Sequence, residues 1–304
     1  MSVLAVVIPA GDRPPTLDRC VAALLAGERR PDQLIVQEEP AGAGPAALRN
    51  AAAASTRADV LVFVDSDVEV HPDALARIER RFADDRELGG VFGAYDDDPE
   101  APGLVSRFRN LLHHHVHLTS AGEAETFWAG LGAVRREAFE AAGGFDPGRF
   151  PQPSVEDIDL GMRMRRRGSR LQLDPAIRGR HLKVWSASAM VRTDFSRRGV
   201  PWVRLLLRDR RGGTALNLGW RHRVSGVATV TLLLAALTRR PRLALASLLA
   251  GLALNRDLYA LLARRGGPRL LFAGIPLHLL HQLVAIASVP VGVAAYLLDR
   301  EERR

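Results

Sequence analysis

Two carboxylates two positions apart, Asp65 and Asp67, close the run Asp59-Val-Leu-Val-Phe-Val-Asp-Ser-Asp67. Two hard oxygen donors at that spacing suit a divalent cation, Mn²⁺ or Mg²⁺, that keeps open positions for phosphate oxygens. A bare Asp-x-Asp is usually a solvated turn. This one ends an unbroken apolar strand, Val60–Val64, and open α/β sheets bind ligands at the C-terminal ends of their strands. The chemistry implied is that of a metal-bound nucleotide or phosphate. A second acidic pair, Glu156-Asp157 in Ser154-Val-Glu-Asp-Ile-Asp-Leu160, opens a helix expected to reach Arg167. Ser154 is its expected N-cap and Asp157 its N3 residue, where negative charge meets the positive helix end; capping alone is the plain alternative. Asp12 and Glu38 follow two further strands. His181 and Lys183, in Gly179-Arg-His-Leu-Lys-Val-Trp185, follow a third.

Four histidines, His113, His114, His115 and His117, resemble a metal cluster. Consecutive residues of a helix do not share a face, and only pairs such as His113 with His117 do. A solvated or substrate-lining helix is the expectation here.

The elements that position these residues alternate. Residues 3–9 read as a buried strand ended by Pro9, followed by a loop with Gly11 and Asp12. Thr16 is placed to cap a helix, Leu17–Ala26, whose Leu17, Val21, Leu24 and Leu25 fall on one face. Residues 32–37 make a second strand, with Glu38 and Glu39 at its end. Pro45–Ala54 is an alanine-rich helix. After the strand that delivers Asp65 comes a helix from Pro72, in the first turn, to Phe82, then a strand at 90–95. The helix opened by the second acidic pair is followed, after Gly168, by a strand at about 170–173. Strand–helix alternation predicts an α/β fold: a mainly parallel sheet with helices on both faces.

From about residue 216 the texture changes. Apolar runs at 224–237, 243–254 and 270–298 are separated by Arg239-Arg-Pro-Arg242 and Asn255-Arg-Asp257. The last exceeds the ~20 residues a spanning helix needs. The first two are shorter, open to a re-entrant hairpin, interfacial helices or tilted spans, and a buried helical subdomain is the alternative. Arg clusters beside the runs fit lipid headgroups, but they lie at nearly every junction and leave topology open. The expected organisation is an α/β domain at 1–215, with a nucleotide-binding half at 1–98 and a mixed half at 99–215, then an all-α membrane region at 216–304.

A formal net charge of +8, from 42 basic against 34 acidic residues, admits nucleic acid, anionic lipid or nucleotide phosphate as partners. Nucleic acid is excluded: no recognition module is visible, aromatics are 6%, and the Arg clusters flank apolar runs. Membrane lipid fits better. Cys20 is the only cysteine, which suits a reducing compartment. The first apolar run is strand-length and lacks a basic flank, so no signal peptide is expected.

Over about residues 3–211 the chain resembles the family 2 glycosyltransferases, inverting enzymes of the GT-A fold. Val6-Val-Ile-Pro9 with Thr16-Leu17 is similar to the family's first strand and helix, and Gly44-Pro-Ala-Ala-Leu-Arg-Asn50 to its Gly-Pro-x-x-x-Arg-Asn segment. Asp65-Ser-Asp67 matches the metal-binding motif. Gly130 to Arg136 with Gly143-Gly-Phe-Asp146 resembles the segment before the base, and Glu156-Asp157 the pair whose aspartate is the base. The resemblance implies that Asp67 binds the cation and Asp65 ribose or cation. It places Pro9, Asp12, Glu38 and Arg49 at the donor, a UDP- or GDP-sugar, with Glu38 where the family usually has aspartate. It gives Asp157, with Glu156, the catalytic role, His181 to metal or phosphate, Lys183 to diphosphate, and Trp128 and Gly130 to a lipid-linked or glycan acceptor. A lone interfacial histidine and a core tryptophan are the plain alternatives for His181 and Trp128.

The chemistry is coherent with that set. A sugar hydroxyl is a poor nucleophile and needs a carboxylate within hydrogen-bond reach. A diphosphate leaves once its charge is neutralised. The processive Gln-x-x-Arg-Trp motif is absent, with Arg197-Arg-Gly-Val-Pro-Trp202 only a loose echo, so a single sugar is the expected transfer. The expectation is a membrane enzyme with its catalytic domain on the cytoplasmic side. The rival functions are a nucleotidyltransferase, which would want more than Gly11 and Arg13 in its phosphate loop, and a non-catalytic membrane scaffold.

Overall fold

The structure, a computed structural model, describes residues 2–209 and 219–301. It divides into two compact units, Met1–Ala101 with Val116–Lys183, and Pro102–His115 with Val184–Arg304. The expected boundary at 215/216 lies outside the described residues.

The first unit is built on one eight-stranded sheet in the order β2-β1-β3-β7-β5-β8-β4, with β6 paired to β8. The strands are β1 Leu4–Pro9, β2 Gln33–Gln37, β3 Val60–Val64, β4 Val68–Val70, β5 Leu88–Tyr95, β6 Gly122–Glu123, β7 Leu131–Arg135 and β8 Arg170–His181. β1 runs parallel to β2 and β3, and β5 parallel to β8. β7 is antiparallel to both β3 and β5. Two reversals cancel, so β1, β2, β3, β5 and β8 all end at one edge, and β7 starts there. The chain leaves β1 for β2 on one side and returns to β3 on the other. That switch point opens a crevice at the strand ends.

β3 is buried along its whole length, as a strand covered on both faces should be. Among the covering helices are α1 Leu17–Ala26, α2 Pro45–Ala54, α3 Ala74–Asp84 and α6 Glu156–Arg166. α6 carries Glu156, Asp157 and Asp159 in its first turn and Arg163, Arg165 and Arg166 in its last, complementing the helix dipole at both ends.

Several local expectations need correction. Val155, not Ser154, occupies the N-cap of α6, which makes Asp157 its second residue; the Ser154 amide instead donates to the Glu156 carboxylate at 2.8 Å. Thr16 lacks a capping hydrogen bond, and its hydroxyl is buried without a partner. β8 is three times the expected length and ends on His181 itself. The histidine helix, α4 Leu104–Thr119, is not solvated: His114 and His117 are buried, and His117 Nδ1 lies 2.9 Å from the Gly93 carbonyl oxygen.

The second unit is helical. It includes α9 Trp220–Leu237, α10 Pro241–Leu254 and α11 Arg256–Glu301, the last broken at Gly267 (φ +65°), just before Pro268. One helix among the described residues, Arg256–Asp299, is long and apolar enough to cross a membrane, with mean hydropathy 1.8 in its most apolar window and 17% of that window buried. Polar groups join these helices internally. Gln282 donates to Ser225 and Asn255 to the same hydroxyl, both at 2.7 Å, while Tyr259 and His278 pair at 3.0 Å. Asp194 accepts from Arg109 and lies 2.7 Å from His281.

Candidate active site

The strand edge gathers the residues singled out above. β3 hands the chain to Asp65, whose amide donates to the Gly130 carbonyl at 3.0 Å across the start of β7. Two residues on, Asp67 lies beside β8: the Leu182 amide donates to its carbonyl at 2.8 Å. The pairing of β4 with β8 sets Val68 opposite His181. Asp67 Oδ2 is thereby 3.5 Å from His181 Nε2 and 3.9 Å from Lys183 Nζ. Burial favours the neutral acid at Asp67, but His181 and Lys183 outweigh it and hold its pKa below the ordinary carboxylate value.

Arg49 joins the two acidic motifs. It is buried on α2, with its guanidinium 5.3 Å from the centre of the Phe145 ring. One Nη donates to Asp65 at 2.7 Å and the other to Glu156 at 3.0 Å. Burial raises the pKa of Asp65 despite this partner. Glu156, itself buried, receives both Arg49 and the Ser154 amide, so its oxygens serve the protein.

Asp157 is half-buried. One oxygen accepts from the Ala129 amide at 3.2 Å and the other from the Ile158 amide at 2.8 Å. Desolvation, then the like charge on Glu156, raises its pKa to about 7, against Arg49 and the two amides. A carboxylate poised there can take a proton from a hydroxyl near neutral pH. Gly130 and Trp128 share the adjoining segment, and a Cβ on Gly130 would come within 2.4 Å of the indole. Trp128 is half-buried against the core.

Pro9 ends β1, and the loop after it carries Asp12 and Arg13 exposed. Arg13 has φ +40° and pairs with Glu38 at 2.8 Å, which brings the first loop to the end of β2. Sequence reasoning missed Tyr95. It ends β5 with its ring stacked on His181, centroids 4.2 Å apart and planes 9° from parallel. The available signal was an aromatic residue at the last position of a strand leading into the site.

Among the described residues no three His, Cys, Asp or Glu side chains converge as a ready-made cation site. Asp67 and His181 do converge, close enough for both to reach one ion about 2.1 Å away. A small hard cation takes its remaining ligands from water and substrate phosphates, so this donor pair fits an ion that binds together with a diphosphate.

A family model described as Glycosyl transferase family 21 matches residues 28–289. No curated protein matches the chain in sequence. Among solved structures, the mannosyltransferase PcManGT from Pyrobaculum calidifontis, in complex with GDP-Man and Mn²⁺, is similar over 98% of this chain and 88% of that one, with TM-score 0.55 and 17% identity. GalNAc-T7 with UDP, GalNAc and Mn²⁺ is similar over 68% of this chain and 48% of that one, with TM-score 0.46 and 17% identity. The likeness to PcManGT speaks for the fold, which is GT-A. The motifs resemble family 2, whereas the matching model is that of family 21, so the glycosyltransferase class holds and the family number is corrected. With the model covering most of its length, the chain belongs to glycosyl transferase family 21.

Proposed function

We propose that the protein moves a single sugar from a UDP- or GDP-sugar to a hydroxyl of a lipid-linked or membrane-proximal acceptor, with inversion at the anomeric carbon. The observation that carries this reading is the Arg49 clasp: by holding Asp65 and Glu156 on one guanidinium, it brings the Asp-x-Asp turn and the start of α6 into a single site. Asp157 then faces the edge where the donor would lie, and acts as the base that takes the acceptor proton.

Asp67 and His181 would hold the divalent cation, Mn²⁺ or Mg²⁺, with Asp65 beside it. Such an ion, when bound, supplies positive charge to the diphosphate leaving group. The other roles belong to the chain. Lys183, whose side chain is half exposed, holds its Nζ 3.9 Å from Asp67 and would meet a phosphate oxygen of the donor. Glu38, Asp12 and Pro9 line the crevice side at which the nucleoside would lie. Arg49, at the donor side, and Glu156 hold the site's carboxylates in place through the shared guanidinium. Trp128 and Gly130 border the acceptor side of Asp157. PcManGT, of the same fold, was solved with GDP-Man and Mn²⁺, which supports this class of donor and ion.

Membrane association is supported by the helix Arg256–Asp299 and by exposed Leu234, Leu237, Leu249, Phe272 and Leu298 in the helical unit. The catalytic unit faces the cytoplasm, where nucleotide-sugars are made. The stereochemistry is testable by following donor hydrolysis with water in place of the acceptor, by NMR. A first-released sugar of inverted anomeric configuration is expected; retained configuration would refute direct displacement.

A further inference from the structure

Asp67 and His181 meet because their backbones lie on neighbouring rungs of the sheet: the β4–β8 register sets Val68 opposite His181, and the Leu182 amide donates to the Asp67 carbonyl. That bond pattern sets the His181 backbone but leaves its imidazole two side-chain torsions, the outer of which is broad. Rotation about it would swing Nε2 away from Asp67. Tyr95 blocks the rotation, its ring lying flat on the imidazole.

Tyr95 is held in turn. Trp128 meets it edge-on, centroids 4.9 Å apart and planes at 89°. His117 meets Trp128 edge-on at 5.1 Å and 88°. His117 is anchored by its 2.9 Å contact with the Gly93 oxygen and by the Phe92 ring at 5.9 Å. Gly130 backs the indole so closely that no Cβ fits. A leucine would keep an apolar side chain at the position of Tyr95 but would present no flat face. The ring series thus runs from a backbone carbonyl to the nitrogen-bearing ring beside Asp67.

We infer that Tyr95 is a positioning residue. Stacked on His181 and held by Trp128, it fixes the imidazole plane so that Nε2 faces Asp67 and a divalent cation arriving with a diphosphate. This inference rests on the reading of His181 as a cation ligand. Partners that orient metal-binding histidines change metal affinity by about 10–100-fold when removed.

The test is Mn²⁺ binding by the full chain in detergent, with free Mn²⁺ read by electron paramagnetic resonance in the presence of UDP or of GDP, against nucleotide-only controls. Tyr95→Leu is expected to weaken Mn²⁺ binding about 10-fold. Tyr95→Phe, which keeps the flat ring, should stay within about twofold of wild type, and Trp128→Leu should weaken binding in the same direction. On a His181→Ala background, Tyr95→Leu should add nothing. Wild-type affinity in Tyr95→Leu, with weakened binding in His181→Ala, overturns the positioning role and leaves the His181 assignment standing. Wild-type affinity in His181→Ala overturns both. Should circular dichroism show Tyr95→Leu unfolded, Trp128→Leu decides, and wild-type Mn²⁺ affinity there overturns the inference.

Discussion

Asp65 and Glu156 are two acidic groups close enough to share one guanidinium, and they differ in their access to water: the Asp65 side chain is 34% exposed and that of Glu156 6%. Without Arg49, Asp65 could be solvated and Glu156 could not. Removing one partner of a buried pair costs about 3–5 kcal/mol, and Arg49→Ala should lower the unfolding free energy by about that much in denaturant titration. Arg49→Lys should fall in between, because one ammonium cannot fork to both carboxylates. Asp157 predicts a pH dependence. In its proposed role as base it works ionised, so kcat/KM should rise as pH passes about 7. Its stability effect has the opposite sign. The folded pKa lies above the unfolded 3.8, so its contribution is complete below pH 3.8 and is lost as pH climbs through about 7. Asp157→Asn does not titrate and should gain thermal stability relative to wild type between pH 5 and pH 8. Asp65, Asp67 and Asp157 were legible because each sits in a short motif at an element end. The work of Arg49 was not, since a helix sequence does not show that its two partners lie 16 and 107 positions away.

Among the elements, α6 and β8 show where local reading fails. Ala is favoured over Gly inside a helix by about 1 kcal/mol, so α6 alone would gain from Gly161→Ala. Packing reverses the sign. The added Cβ would lie 2.2 Å from the Phe127 amide nitrogen and 2.6 Å from the Thr126 carbonyl carbon, both backbone atoms. Overpacking of this kind costs about 1–3 kcal/mol. Gly161→Ala should therefore lower the thermal midpoint by several degrees and reduce kcat, as α6 moves Asp157 off the Ala129 amide. β8 was expected at about 170–173, yet it runs on through Asp174-Pro175 to His181. Pro175 is tolerated because β8 changes partners there: its outer side leaves β6 after Leu173 and joins β4 at Gly179, and its pairing with β5 shifts register over the same stretch. That continuation is what carries His181 to Asp67. β1, β2, β3 and β5 and the helices α1 and α2 were legible from apolar runs and bounding Gly and Pro, whereas β7, buried between β3 and β5, was not. The buried His114 and His117 were not, since polarity alone argued for solvent.

For the whole molecule, class and fold could be read from the order of the motifs, while the family number and the long-range clasp needed the family model and the structure. The apolar helix Arg256–Asp299, little buried in its most apolar window, gives a further prediction. If it crosses a bilayer, the protein stays with membranes through alkaline carbonate and high salt. If the Arg clusters alone held it to headgroups, about 1 M salt, which shortens the screening length to about 3 Å, would release it. The central claim is that Asp157 is the base of a metal-dependent sugar transfer. Its most direct test is nucleoside diphosphate release by the detergent-purified full chain from a panel of UDP- and GDP-sugars, wild type beside Asp157→Asn, with Mn²⁺ or with EDTA. One donor turned over by wild type with Mn²⁺, little turnover in EDTA, and a loss of about 100-fold or more in Asp157→Asn are expected. Turnover by Asp157→Asn at the wild-type rate would contradict that claim.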